Sequence, residues 1–108
     1  MSKEDDNILY RIKVNEQEIG HIKIIEDPDG VTIEEVWIND KFRNKGYGTM
    51  LIRHIEWIAK KSGGYKTILA HAIKNSEEAK GLFEANSYVL FPDGQGEYDG
   101  YKNILKIH

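Results

Sequence analysis

One short segment, Arg-Asn-Lys-Gly-Tyr-Gly at residues 43–48, limits what this chain can fold into more than any other. It lies between an apolar run at 31–38, which has the length of a strand, and an amphipathic run that begins at Gly46. A helix that starts at such a turn presents amide N–H groups without intrahelical partners, and its dipole adds partial positive charge. Glycines let the backbone approach an anion, and Arg43 and Lys45 add full charges. The segment therefore predicts a phosphate site, and a pyrophosphate-bearing ligand is the first hypothesis.

Composition excludes several classes of function. The chain's 108 residues suffice for one domain, predicted over 1–108 with a flexible polar tail at 1–7. A net charge of -3 argues against nucleic acid or a membrane surface as the main partner. The lack of cysteine excludes disulfides, cysteine thiolate nucleophiles and cysteine-based zinc sites, and the isolated histidines do not suggest a metal site. No apolar run resembles a signal peptide or a membrane span, so a cytoplasmic protein is expected.

The first part of the chain predicts strands. Alternating runs at 8–14, 19–25 and 31–38 are joined by polar turns at 15–18 and 27–30. Short turns between consecutive strands indicate an antiparallel meander.

The rest of the chain predicts two helices and three more strands. A helix from Gly46 to about Gly63 is predicted by apolar positions at three- and four-residue spacing, namely Tyr47, Met50, Leu51, His54, Ile55 and Ile58. Asn75 is the predicted N-cap of a second helix that ends near Asn86, with Glu78 at capping-box spacing. Further strands are predicted at 67–73, 88–91 and 101–107. The order β-β-β-α-β-α-β-β predicts an α+β domain with a mixed, mostly antiparallel sheet.

Two other glycine-rich phosphate motifs do not fit the segment. A dinucleotide-binding fingerprint needs a third glycine at position 51, where Leu51 stands, and a strand that opens a βαβ unit. A P-loop needs Gly-Lys-Ser/Thr after four intervening residues, and this is absent.

The segment 33–48 closely resembles the signature of the GNAT superfamily of acetyl-CoA-dependent N-acetyltransferases. In that family Arg/Gln-x-x-Gly-x-Gly/Ala follows a strand and opens a long helix, and here it reads Arg43, Gly46 and Gly48. A strand-ending asparagine followed by an aromatic-Glu pair in the next helix is similar to Asn75 and Phe83-Glu84. The resemblance implies a GNAT-like fold in a short member of the family.

The resemblance also implies acetyl-CoA as cosubstrate. Turn amides at 43–49 would bind the pyrophosphate, the strand at 36–38 would hydrogen-bond the pantetheine arm, and Asn75 would contact that arm from the other side. Trp37 would contribute only its backbone, and Phe83, where many members carry a proton-donating Tyr, would pack against the arm or the core. The implied cofactor contacts are Val36, Trp37, Ile38, Arg43, Asn44, Lys45, Gly46, Tyr47, Gly48, Thr49, Asn75 and Phe83.

Glu34 is the predicted catalytic residue. Acetyl transfer needs a neutral amine, so a base that takes its proton directly or through water would help. Glu34 shares strand parity with Val36 and matches the place where related enzymes often carry a His or a carboxylate, whereas Glu35 should face the other way. A partly exposed, salt-bridged carboxylate is the alternative. His71, Tyr98 and Tyr101 could also reach the reacting groups, with packing roles as their alternatives.

The acceptor site is expected to be open. The loop at 15–18 leaves no room for the helices that wall the acceptor site in longer family members, so N-terminal lid helices should be absent. An open groove favours a primary amine on a protein or on a flexible polyamine-like molecule. A non-catalytic CoA- or acetyl-CoA-binding regulatory module is the alternative, as is a domain that binds no CoA. The sequence does not fix the oligomeric state.

Overall fold

The computed structural model describes residues 6–27, 30–63, 67–74 and 76–104. Its strands and helices follow the predicted order: β1 (Asp6–Val14), β2 (Gln17–Asp27), β3 (Gly30–Ile38), α1 (Tyr47–Ile58), β4 (Thr67–Lys74), α2 (Glu77–Ala85), β5 (Val89–Pro92) and β6 (Glu97–Asn103). A 3-10 turn at Asp40–Phe42 precedes α1, and a π-helical turn at Ala59–Gly63 follows it. The predicted α+β class is confirmed.

The described strands form a 6-stranded sheet in the order β1-β2-β3-β4-β6-β5. Neighbouring strands are antiparallel except β3 and β4, which run parallel. The parallel ladder is short, because residues 31–33 of β3 pair with 68–70 of β4 and pairing ends there. Beyond the last pair, Ile33 with Ala70, the two strands separate and leave a gap within the sheet.

The hydrophobic core lies on one face of this sheet, beneath both helices. Buried residues from β2, β3 and β4 meet buried residues of α1 and α2 there; these are Ile22, Ile24, Val31, Ile33, Ile68, Ala70, Leu51, Ile52, Ile55 and Phe83. The opposite face carries no helix in the described part of the chain, and we call it the open face. It presents Leu9, Lys23, Glu35, Trp37, Leu69, His71 and Tyr101, which alternate with the core residues along their strands.

A tight hairpin joins β1 and β2. Asn15 and Glu16 both have positive φ, 50° and 68°, as a two-residue hairpin turn with the twist of its flanking strands requires. The turn leaves no helix between these strands, as the sequence predicted.

Two strands begin earlier than the sequence predicted. The predicted tail at 1–7 is too long, because β1 begins at Asp6, and residues 1–5 lie outside the described part. The last strand begins at Glu97 and not at residue 101. Gly100 lies inside this strand because β5 approaches it closely, and a Cβ at this position would clash with the carbonyl oxygen of Val89.

The cap of α2 also differs from the prediction. Ser76 is the N-cap, and its Oγ accepts a hydrogen bond from the amide of Ala79 at 3.2 Å. The prediction of Asn75 as the cap is therefore wrong by one residue, and Asn75 itself lies outside the described residues. Serine and asparagine are comparable caps, so sequence alone could not decide between neighbours.

The buried stripe of α1 is rotated from the predicted one. Leu51 and Ile55 are buried as expected, but Met50 is 50% exposed and Glu56 is buried. The Glu56 carboxylate accepts hydrogen bonds from the Tyr88 hydroxyl at 3.0 Å and from Lys102 Nζ at 3.1 Å. Burial, and then the charge of Glu56, raise the pKa of Tyr88. A glutamate that pairs with the buried hydroxyl of Tyr88 and the partly buried ammonium group of Lys102 thus takes a core position that the apolar pattern did not assign to it.

Candidate functional site

The gap between β3 and β4 opens into a groove of about 950 Å³. Its walls are residues 34–38 of β3, residues 72–74 of β4, the first turn of α1 and one side of α2. This volume is at the upper end of the range for small-molecule and cofactor sites. Every described member of the implied cofactor set except Lys45 lines it.

The start of α1 faces this groove without a side-chain cap. Its N-cap, Gly46, has φ 88°, in the left-handed region, and makes no capping hydrogen bond. The first bonded amide is that of Met50, which donates to the Gly46 carbonyl at 3.0 Å. The amides of residues 44–49 have no acceptor among the described residues. This row of unpaired N–H groups at a helix N-terminus is suited to an anion.

The side chain of Arg43 is already engaged. Its Nε donates to the Ile38 carbonyl at 2.9 Å, and its Nη1 contacts Asp40 at 2.9 Å and Glu78 at 2.6 Å. These two carboxylates already compensate part of the positive charge of Arg43, which the sequence interpretation had given to a phosphate. Lys45 is exposed and forms no ion pair within the described residues. The backbone amides are therefore the main hydrogen-bond donors that the turn offers to an anion.

Helix α2 and the residue after it pack against the start of α1. Gly48 is buried, and a Cβ there would lie 2.8 Å from a methyl carbon of Leu82 in α2. Asn86, 6% exposed, donates from Nδ2 to the Thr49 hydroxyl at 3.1 Å and to the Leu82 carbonyl at 2.9 Å. Sequence reasoning missed Leu82 and Asn86, because nothing in their local pattern indicates a contact with the glycine turn.

The aromatic residues divide between the two faces of the sheet. Phe83 is 1% exposed, packs edge-on against Tyr88 at 5.3 Å between ring centroids, and also borders the groove. Trp37 lies on the open face, 5.3 Å from the ring of His21. Tyr47 packs edge-on against Phe42 at 6.2 Å. The core packing expected of Phe83 is thus confirmed, and its contact with the arm of a cofactor stays a prediction.

Glu34 borders the groove but does not follow simple alternation. Lys23 pairs with Glu35 and Ile24 pairs with Ile33, so Glu34 is the extra residue of a β-bulge. Ile33 and Val36 both face the helices, and the parity shared by Glu34 and Val36 therefore fails as an argument. Glu35 faces the other way from Val36, as predicted, and contacts His21 Nε2 at 3.4 Å.

A polar cluster lies on the open face beside the bulge in β3. His21 lies between two carboxylates, with Nδ1 at 2.8 Å from Glu18 and Nε2 at 3.4 Å from Glu35. The hydrogen bond from His21 holds the pKa of Glu18 below its usual value. Trp37 lies beside the His21 imidazole, so this cluster covers the open face of β3 next to the gap.

Other kinds of site are not found in the described residues. No group of three His, Cys, Asp or Glu side chains there is arranged to hold a metal ion. None of the helices described is long and apolar enough to cross a membrane.

Comparison with known proteins identifies a family whose sequence model matches most of the chain. The model of the family described as Acetyltransferase (GNAT) matches residues 1–88. No curated protein sequence matches the chain significantly.

Solved structures share the fold. The PaiA N-acetyltransferase of Thermoplasma acidophilum in complex with coenzyme A has a TM-score of 0.81 and 14% identity over 92% of this chain. An acetyltransferase from Bacillus cereus ATCC 14579 has a TM-score of 0.74 and 21% identity, covering 93% of this chain and 74% of its own. A Bacillus anthracis acetyltransferase in complex with acetyl coenzyme A has a TM-score of 0.73 and 20% identity, covering 96% of this chain and 65% of its own. The chain spans 62% of the length of the Thermoplasma protein.

Proposed function

Because the chain belongs to the GNAT acetyltransferase family, we propose that it transfers an acetyl group from acetyl-CoA to a primary amine. The observation that carries this proposal is the start of α1, where the amides of residues 44–49 have no acceptor among the described residues. All of these residues except Lys45 line a groove of the size of a cofactor site. A diphosphate supplies the acceptor oxygens that such amides need. Coenzyme A and acetyl coenzyme A in the Thermoplasma and Bacillus anthracis structures support the choice of diphosphate ligand.

The gap itself suits the arm of the cofactor. Residues 36–38 of β3 lie beyond the last pair with β4, so the β4-facing edge of this segment has no strand partner among the described strands. An extended chain that carries amides can supply one, as a peptide does when it adds a strand to a sheet. Val36 and Ile38 are partly buried against the core at this edge, which gives the arm an apolar floor. The contact proposed for Asn75 remains a prediction.

The proposed chemistry begins with a neutral amine. Its nitrogen forms a bond to the thioester carbonyl carbon, the C–S bond breaks, and the CoA sulfur leaves as a thiolate. Glu34, at the edge of the groove, takes a proton from the nitrogen directly or through water. Phe83 has no hydroxyl with which to protonate the thiolate, so water supplies that proton.

The acceptor is proposed to be a cationic amine on a protein or on a flexible polyamine-like molecule. Acidic side chains surround the gap, with Glu34, Glu35 and Glu97 lining the groove and Asp99 in the neighbouring strand. Their negative potential attracts an ammonium group. No helix between β1 and β2 covers the open face, so a bulky acceptor has access.

A second candidate, a CoA- or acetyl-CoA-binding regulatory module without catalysis, is favoured by Phe83 alone. Release of CoA thiol from acetyl-CoA distinguishes the two, tested with a lysine peptide, a polyamine and a bulky neutral amine. An enzyme releases thiol with the cationic amines, whereas a regulatory module binds acetyl-CoA and releases none. Turnover only with the neutral amine would contradict the proposed acceptor.

Substitution of Glu34 tests its role in the same assay. Glu34→Gln should lower kcat by about 10²–10⁴-fold, the usual contribution of a general base, with little change in the KM for acetyl-CoA. Glu84→Gln, on the exposed surface of α2 and away from the groove, is the matched control and should leave kcat unchanged. Equal kcat values for the two variants would rule out Glu34 as the base.

A further inference from the structure

The point where β3 and β4 separate carries a second candidate for proton transfer. Ile33 and Ala70 form the last pair of the parallel ladder. The next residue of each strand, Glu34 in β3 and His71 in β4, therefore stands where the gap begins. Each is part of a β-bulge, a feature often found beside active sites because it re-aims a side chain.

The bulge in β4 is held by one carboxylate. Ala70 pairs with Gly100 and Ile73 pairs with Tyr98, so His71 and Ala72 together oppose Asp99 of β6. Asp99 Oδ1 accepts the amide hydrogen of Ala72 at 3.0 Å. Ala72 has φ 56°, a left-handed conformation that non-glycine residues rarely adopt. Ala72 also lines the groove, so this strained residue borders the space in which acetyl-CoA is proposed to bind.

The same carboxylate oxygen orients His71. It lies 3.1 Å from Nδ1 of His71, and because an ionised carboxylate can only accept, Nδ1 must carry the hydrogen. In the neutral imidazole the lone pair is then on Nε2, which has no partner among the described residues. The side chain of His71 is 61% exposed and lies on the open face, from which the amine is proposed to approach.

We propose that His71, oriented by Asp99, is a second proton acceptor for the amine. This inference rests on the proposed acetyl transfer. An ammonium acceptor loses two protons in becoming an amide: one before its nitrogen attacks and one after the C–N bond forms. Glu34 takes one and Nε2 of His71 takes the other, directly or through one water. The C–S bond breaks, the thiolate takes a proton from water, and His71 returns its proton to solvent.

Rescue of a truncated variant tests this role. His71→Ala should lower kcat by about 10²-fold with an unchanged KM for acetyl-CoA, and added imidazole should restore part of the loss. His54→Ala is the matched control, because His54 is also an exposed histidine but lies on α1 against the ring of Tyr10, not at the end of the parallel ladder. It should retain the parent kcat and show no response to imidazole.

Two results would overturn the inference while leaving the proposed function intact. One is an unchanged kcat in His71→Ala. The other is a lower kcat that imidazole does not restore and that is accompanied by a lower melting temperature, which would assign His71 a structural role. If the parent protein itself releases no CoA thiol with any amine, the proposed function fails and this inference fails with it.

Discussion

Gly46 combines a left-handed backbone conformation with open surroundings. Its φ of 88° suits glycine, and an added Cβ would meet nothing within 4 Å. Gly46 lines the groove and lies among the residues whose amides have no acceptor in the described part of the chain, so the space beside it is the proposed seat of the diphosphate. Substitution at this residue probes the anion site without disturbing the packing of α1.

Gly46→Glu should abolish ligand binding by placing a carboxylate in this seat. Acetyl-CoA at about 100 times its dissociation constant should stabilise the parent by about 2.7 kcal/mol, measured by thermal shift, and the variant by nothing detectable. Gly94→Glu is the control, because Gly94 also has positive φ, 84°, and open surroundings but lies outside the groove. It carries the same backbone strain and charge and should keep the ligand shift. Loss of the shift in both variants would point to strain and not to the site.

Arg43 differs from the role its sequence position suggests. Its guanidinium contacts Asp40 and Glu78, and Glu78 lines the groove beside the proposed diphosphate. A bound phosphate would therefore be repelled by Glu78 and would compete with it for Arg43.

Glu78→Gln should tighten CoA binding by removing that competition. A partly exposed charge near a helix terminus is worth about 0.3–1 kcal/mol, so the dissociation constant should fall by about two- to fivefold in calorimetry at low salt. The gain should shrink at high ionic strength, since salt screens exposed charges. Glu84→Gln removes a charge from the same helix away from the groove and should change affinity less. Equal or weaker binding in Glu78→Gln would show that Arg43 contributes nothing to anion binding.

At the scale of elements, interior bulges and close strand contacts shape the site. The bulge at Glu34 in β3 and the one at Ala72 in β4 mark the end of the parallel ladder. On the far side of β4, the glycine at position 100 lets β5 approach β6 closely. These features depend on which strand pairs with which, and local sequence patterns do not contain that information.

Gly100→Ala should destabilise the fold through a backbone clash. The new Cβ would lie 2.4 Å from the Val89 carbonyl oxygen and 2.6 Å from a Leu90 methyl group, so strands β5 and β6 would have to move. We expect a loss of about 1–3 kcal/mol in the free energy of unfolding, measured by urea denaturation. Gly81→Ala, in α2 with nothing within 4 Å of the new Cβ, should instead gain about 0.5–1 kcal/mol. An unaltered stability in Gly100→Ala would contradict the described pairing of β5 with β6.

At the scale of the molecule, the sequence predicted the features that local chemistry determines. The glycine turn, the helix it opens and the order of all eight main elements followed from residue spacing and turn residues. Features that depend on distant partners were missed: the pairing of buried Glu56 with Lys102, the Asn86 contact with Thr49, and the bulge at Glu34. The position of Glu34 at the groove was predicted, but the argument assumed regular alternation of side chains along β3. That alternation is interrupted, because Glu34 is the extra residue of a β-bulge.

The central claim is that backbone amides at the start of α1 bind the diphosphate of a CoA thioester. Titration calorimetry with CoA, 3′-dephospho-CoA and pantetheine tests it most directly, because only pantetheine lacks the diphosphate. If the amides supply even two hydrogen bonds to charged oxygens, at about 1.5 kcal/mol each, pantetheine should bind about 100-fold more weakly than the other two ligands. Pantetheine affinity equal to that of CoA, or no detectable binding of CoA, would contradict the claim.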